Sequence, residues 1–105
     1  MSGVYLAAPV ELHAFGLTPG TKYCASMAFT ADSGVSGFNL GFSVQAVKSN
    51  GTITFAAEAT DVNPGGVPGT VKAWIRAGSA TGGNFDDPPQ TAPDGTVLET
   101  EIHLP

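Results

Sequence analysis

Between Tyr23 and Ala31 the chain alternates with a period of two, and a tight turn leads directly into that stretch. Tyr23, Ala25, Met27, Phe29 and Ala31 fall on one side, and Cys24, Ser26, Ala28 and Thr30 on the other. This is the pattern of a strand with one face on a core. Just before it, Thr18-Pro19-Gly20-Thr21 puts Pro where a turn needs a preset φ, and Gly where a type II turn needs a positive one. Leu17, Pro19, Gly20 and Tyr23 therefore read as a structural turn that fixes where the strand begins.

The same alternation recurs along the chain. Val4 to Phe15 forms one strand or two, with Pro9 at a bend or on an edge, because Pro cannot donate to a ladder. Phe38 to Ala46 and Ile53 to Ala59 flank Ser49-Asn50-Gly51, and Asn-Gly suits a type I′ hairpin turn, so residues 38–60 are expected to form a hairpin. Asp61 to Gly69 is too rich in Pro and Gly for regular structure and reads as a crossing between sheets. Thr70 to Ala77 and Thr96 to Leu104 complete the set, the latter burying Leu98, Ile102 and Leu104. They are separated by a long loop, Gly78 to Gly95, that is either functional or pinned by a neighbour.

No segment has a helical period. The expected fold is all-β, a single antiparallel β-sandwich of about seven strands, jelly roll or Greek key, occupying residues 1–105 as one domain. A chain of 105 residues with 14 Gly and 8 Pro distributed as punctuation fits one two-layer core.

Charge narrows the function. Nine acids against four bases give a net charge of −5, and Lys22, Lys48, Lys72 and Arg76 form no cluster able to neutralise a run of phosphates, which argues against nucleic acid. No apolar run approaches the roughly 20 residues of a membrane span, and no basic segment followed by an apolar one marks export. The single Cys24 excludes an intramolecular disulfide and reads as a half-buried strand residue.

Three constellations could carry chemistry. Asp86-Asp87, Asp94, Asp61 and Asn63 offer oxygen ligands for Ca²⁺, but acids and amides beside Gly and Pro are ordinary turn formers, and no EF-hand spacing is present. His13 and His103 share a phase with Glu11 and Glu101 and could bind Zn²⁺ if the first and last strands paired. Paired acids can hydrolyse glycosides only across a cleft lined for sugar. No nucleophile elbow or phosphate loop occurs. The expectation is therefore no enzyme, with no catalytic, cofactor-binding or metal residue assigned. Trp74 lies on the polar phase between Lys72 and Arg76, either as an interface anchor or as core, with the phase shifted by a bulge or both faces of a central strand buried. Lys72, Trp74 and Arg76, with Phe85, Asp86 and Asp87 of the long loop, form the candidate interface.

Leu17, Pro19, Gly20, Tyr23, Ser26 and Ala31 resemble the Leu-x-Pro-Gly-x-x-Tyr-x-x-Ser-x-x-x-x-Ala pattern of jelly-roll modules similar to carbohydrate-binding domains, a fold also used in phage virion surface proteins. Leu17-Thr-Pro-Gly-Thr-Lys-Tyr23 more weakly resembles the tyrosine corner of fibronectin type III domains. The resemblance implies a fold and a binding role. The expected function is a non-catalytic structural or binding protein, a virion component such as a capsid decoration or tail surface subunit docking on other protein subunits as a homo-oligomer or in a capsid lattice. A chain opening on Met without an export signal suits a subunit made in the host cytoplasm and incorporated into a virion. The alternative is a carbohydrate-binding module with a glycan partner, weakened by the small aromatic content.

Overall fold

The computed structural model describes residues 1–7 and 10–105, so the bend expected at Pro9 lies outside the described residues, as does the inward side chain expected at Phe38. Strands β1 (Gly3–Ala7), β2 (Val10–Phe15) and β5 (Ile53–Ala57) form one sheet in the order β1-β2-β5. Strands β3 (Lys22–Ala31), β4 (Ser36–Ala46), β6 (Gly69–Ala77) and β7 (Glu99–Leu104) form the other in the order β4-β3-β6-β7. Every pairing is antiparallel. The two apolar faces meet in a shared core in which Leu12 and Phe55 from one sheet, and Met27, Val71 and Ile75 from the other, are fully buried. Relative to the constant-type immunoglobulin order, where the fourth strand lies beside the fifth, the fourth strand here lies beside the third.

The turn expected before β3 is present. Thr21 N–H donates to the Thr18 carbonyl at 3.2 Å, and Gly20 between them has φ +85°, which is the type II arrangement. Leu17 is buried behind the turn and its N–H donates to the Gly51 carbonyl. Gly20 N–H donates to the Val47 carbonyl and Val47 N–H to that of Thr21. The β2–β3 and β4–β5 turns are thus laced together at one end of the sandwich.

That lacing corrects the hairpin expected over residues 38–60. β4 pairs with β3 and β5 with β2, so the Asn50-Gly51 turn carries the chain between sheets. Only glycines have positive φ among the described residues, and Gly51 (φ +80°) is one of them while Asn50 is not. A type I′ turn needs both. Alternation tells which side of a strand is apolar, and two such sides can be satisfied face to face as well as side by side. Here Phe42 and Phe55 meet across the layers with ring centroids 5.6 Å apart.

The chain also forms one short helix where none was expected, α1 (Ala59–Val62), so Ala59 is helical and not the end of a strand. Glu58 N–H donates to the Asp61 carboxylate at 3.0 Å, one half of a capping box, and the buried Val62 anchors the turn. At the other end of the chain, β7 begins at Glu99 and not Thr96. Residues 90–98 first close a small loop in which Gln90 N–H donates to the Ile75 carbonyl and Ile75 N–H to that of Leu98. Leu98 is buried as expected, whereas Ile102 is 37 % exposed. It lies opposite Val71 on the inward phase, but β7 is the sheet edge and no strand lies beyond it to cover that side.

The free edges carry the usual protections against edge-to-edge pairing. β1 and β5 are five residues long, and β7 bears Glu99 and Glu101. β4, the longest strand and without charge, carries two register irregularities against β3, opposite Tyr23/Ala25 and Ala28/Thr30.

The approach to β1 is tied by Asp94, whose carboxylate accepts from Ser2 N–H at 2.9 Å and Thr96 N–H at 3.0 Å. Hydrogen bonds from Thr96, side chain first and then backbone, and from Ser2 hold this carboxyl below its ordinary value of 3.8. The tether therefore contributes at pH above that value and is lost as pH falls through the lowered pKa. An acid titration followed by NMR should show the Asp94 carboxyl titrating below 3.8, with the Ser2 amide losing its bonded shift over the same range. A midpoint at or above the ordinary value would contradict the tether.

Candidate functional site

The outward face of the four-stranded sheet is not a bare surface. Its β3 residues Cys24 and Ser26 are fully buried, because the segment that follows β6 folds back across them. The Ser26 hydroxyl donates to the Phe85 carbonyl at 3.0 Å, and the Cys24 thiol lies 3.8 Å from the Ser79 carbonyl. Small side chains at Cys24, Ser26 and Ala28 leave the room that this partial third layer occupies.

Arg76 holds the layer in place. Expected at a contact surface, it is instead 2 % exposed, which corrects its place in the candidate interface. Its Nη1 donates to the carbonyls of Gly82 at 2.7 Å and Asn84 at 3.0 Å, and Nη2 donates to that of Ala25 at 3.0 Å. The Ala25 carbonyl lies beside a register irregularity of the β3–β4 ladder, where a side-chain donor makes up for the interrupted backbone pairing. No carboxylate lies within ion-pair distance of the guanidinium among the described residues, and its buried Nε has no partner. The loop must come close to do this. A Cβ on Gly83 (φ +64°) would sit 3.2 Å from both Arg76 Nη1 and Asp87 Oδ2, so any other residue there would be strained.

Trp74, left open between surface and core, is half-buried beneath the same loop. Its indole N–H donates to the Asp87 carbonyl at 2.9 Å, and its ring meets Phe85 edge-on with centroids 5.4 Å apart. Trp74 and Phe85 thus serve first as the loop's own packing. Asp86 and Asp87 are turn formers: Asp87 Oδ2 accepts from Asn84 N–H, and Asp86 N–H donates to the Asn84 side chain. Lys72 is exposed, pairs with Glu99 at 3.3 Å and lies 6.0 Å from the Trp74 ring. Trp74→Ala should lower stability by about 2 to 3 kcal/mol, less than for a fully buried Trp because one side of the ring is already wet. Urea denaturation checks this, and a change below about 0.5 kcal/mol would return Trp74 to the surface.

Between the loop and β4 lies an open groove of about 750 Å³. Phe85 supplies apolar wall, Asn39, Ser43, Thr81 and Asp86 supply polar groups, and Arg76 lies at its base. Gly41 on β4 opens the space above the guanidinium, since a Cβ there would stand 3.9 Å from Nη2.

The metal constellations are dispersed. His13 lies on β2 and His103 on β7, in different sheets, so the strand pairing that a shared site required does not form. His13 stacks on Tyr5 at 4.9 Å and is in hydrogen-bond contact with Thr54 and Glu11, while His103 contacts the Asp32 carboxylate at 2.9 Å. No group of three or more His, Cys, Asp or Glu residues is placed to hold a metal ion among the described residues.

A second hollow, which the sequence did not announce, lies at the end opposite the laced turns. The β3–β4 turn and the segment after α1 enclose about 270 Å³ lined by Phe29, Val35, Pro64 and Val67. Val35 is 68 % and Val67 43 % exposed. Glycine on both neighbouring strands makes room for the Phe29 ring at its base, since a Cβ on Gly37 or Gly69 would lie 2.5 or 2.4 Å from that ring. Asn63 pins the rim, donating to the Val67 carbonyl at 2.9 Å and accepting from its N–H at 3.3 Å. No described helix is long and apolar enough to cross a membrane. No family model matches the chain, and neither does any curated protein or solved structure with which it was compared.

Proposed function

We propose that the chain is a non-catalytic structural domain that docks on other protein subunits, as a capsid decoration or tail surface subunit of a virion does. The observation that carries the docking is the hollow between Val35 and Val67, an apolar recess of side-chain size, its rim pinned by the Asn63–Val67 hydrogen bonds, at a loop-bearing end of a sandwich. Loops at sandwich ends are where such folds present binding residues. Exposed aliphatic side chains around a recess lose little on ordering and release water on burial, the conditions of an anchor pocket. The likeness of Leu17, Pro19, Gly20 and Tyr23 to virion-surface jelly rolls supplies the setting. An antibody against the chain should label purified particles from the source, and the chain should sediment with them. A chain recovered only free of particles would overturn that setting. Val67→Asp should lower particle binding at least tenfold with stability changed by less than about 0.5 kcal/mol, as for a surface substitution.

The groove over Arg76 favours a second reading, glycan binding. It combines the Phe85 ring with hydrogen-bonding groups at Asn39, Ser43 and Thr81, the mixture that small-ligand sites use. Titrating soluble oligosaccharides should then shift the amide resonances of Asn39, Ser43 and Thr81 saturably. Unshifted spectra at millimolar sugar would remove this reading.

A further inference from the structure

The charged groups are sorted along the molecule. Of the four cations, Arg76 is buried and Lys72 is paired with Glu99. The remaining two, Lys22 and Lys48, are exposed and without an ion pair among the described residues. Both sit at the laced-turn end: Lys22 opens β3 and Lys48 follows β4, joined through the Val47 N–H to Thr21 carbonyl bond. The opposite end carries Asp32 after β3, its carboxylate against His103, and Glu58 and Asp61 at α1, while the lining of the apolar hollow is itself uncharged. At the lysine end, in the turn that leads into β3, the exposed Pro19 presents a rigid apolar ring flanked by Thr18 and Gly20. The molecule measures about 39 Å along its longest axis.

We propose that copies of this chain associate head to tail, the basic Pro19 turn of one copy seating in the Val35/Val67 hollow at the acidic end of the next. This rests on the docking reading above and names the partner as a second copy. One molecule carries both complementary surfaces, so the contact is heterologous and repeats, closing into a ring or continuing as a filament. Charge complementarity sets the direction, since like ends repel. An end of at most about 28 × 21 Å makes a small interface, so the affinity expected is weak, on the order of 100 µM. Strength then comes from repetition in an assembly.

Sedimentation equilibrium of the purified chain at low ionic strength should show mass rising with concentration, and at about 1 M salt the association should fall severalfold. Two blocked variants give the decisive result. Val67→Asp closes the hollow but leaves the basic turn intact. Lys22→Glu with Lys48→Glu reverses the basic end but leaves the hollow. Each should be monomeric alone, with circular dichroism and unfolding midpoint like those of the parent. Mixed in equal amounts, they should form a one-to-one dimer and nothing larger, because each supplies the end that the other lacks. A parent chain monomeric at about 1 mM, ten times the expected constant, would overturn the proposal, as would blocked variants that associate as the parent does or a mixture that stays monomeric. In any of those cases, particle binding that still depends on Val67 would leave docking on a different protein standing.

Discussion

Arg76→Met is expected to destabilise the fold by about 3 kcal/mol, lowering the unfolding midpoint by about 15 °C in a domain of this size. The substitution keeps the bulk of the side chain and removes its donors. The carbonyls of Gly82, Asn84 and Ala25 then lose their partners, at roughly 1 to 3 kcal/mol for each that water cannot reach. Two effects act against that sum. The loop carbonyls can turn to solvent, and removing a guanidinium with no carboxylate partner within reach also removes its desolvation cost. The Ala25 carbonyl cannot turn, because it belongs to a central strand of the sheet. Arg76→Lys should rescue little, since one ammonium cannot reach three carbonyls that a planar fork spans.

The same variant has a local readout. Cys24 is fully buried beneath the loop, so a thiol reagent reaches it only when residues 78–90 lift. Labelling of Cys24 in native buffer should accelerate at least tenfold in Arg76→Met, under conditions where the folded fraction is still above nine-tenths. Unchanged labelling with lowered stability would mean that other contacts hold the loop. A neutral or stabilising substitution would show that the desolvation cost of the guanidinium outweighs its three bonds.

Arg76 also shows where the sequence was legible and where it was not. The type II turn and the phase of each strand could be read because they are local: Pro19 and Gly20 fix the backbone, and a period of two fixes the apolar side. That reasoning assumes two layers, with water beyond the polar phase. Residues 78–98 have no periodicity, yet they form a partial third layer, and a charge on the polar phase became an internal group. A signal was present in the small, uncharged outward residues Cys24, Ser26 and Ala28 of β3, which suit a covered face better than a wetted one. The short helix was signalled by Glu58 and Asp61 three residues apart, but a single turn has no period to detect. The apolar hollow lay beyond reading because Val35 and Val67 come from connections far apart in sequence and meet only through the fold.

The second large effect tests the crossing between sheets. Phe55 is fully buried, and Phe55→Ala is expected to cost about 4 kcal/mol, because the cavity left between two hydrogen-bonded layers cannot collapse. Phe42 is only partly buried, and Phe42→Ala should cost about half as much. The pair distinguishes the expected hairpin from the observed crossing between sheets. In a hairpin closed by a two-residue Asn50-Gly51 loop, Phe42 would stand opposite Ala59, away from Phe55. In the observed fold the two rings are 5.6 Å apart and inclined by 60°, a tilted contact worth about 0.5 to 1.5 kcal/mol beyond area. A double-mutant cycle measured by urea denaturation should therefore return a coupling in that range. Additive losses within about 0.3 kcal/mol would place the rings apart and restore the hairpin. Coupling of the expected size would mean that these two aromatic side chains join the sheets across the core, although the local turn chemistry favoured setting their strands side by side.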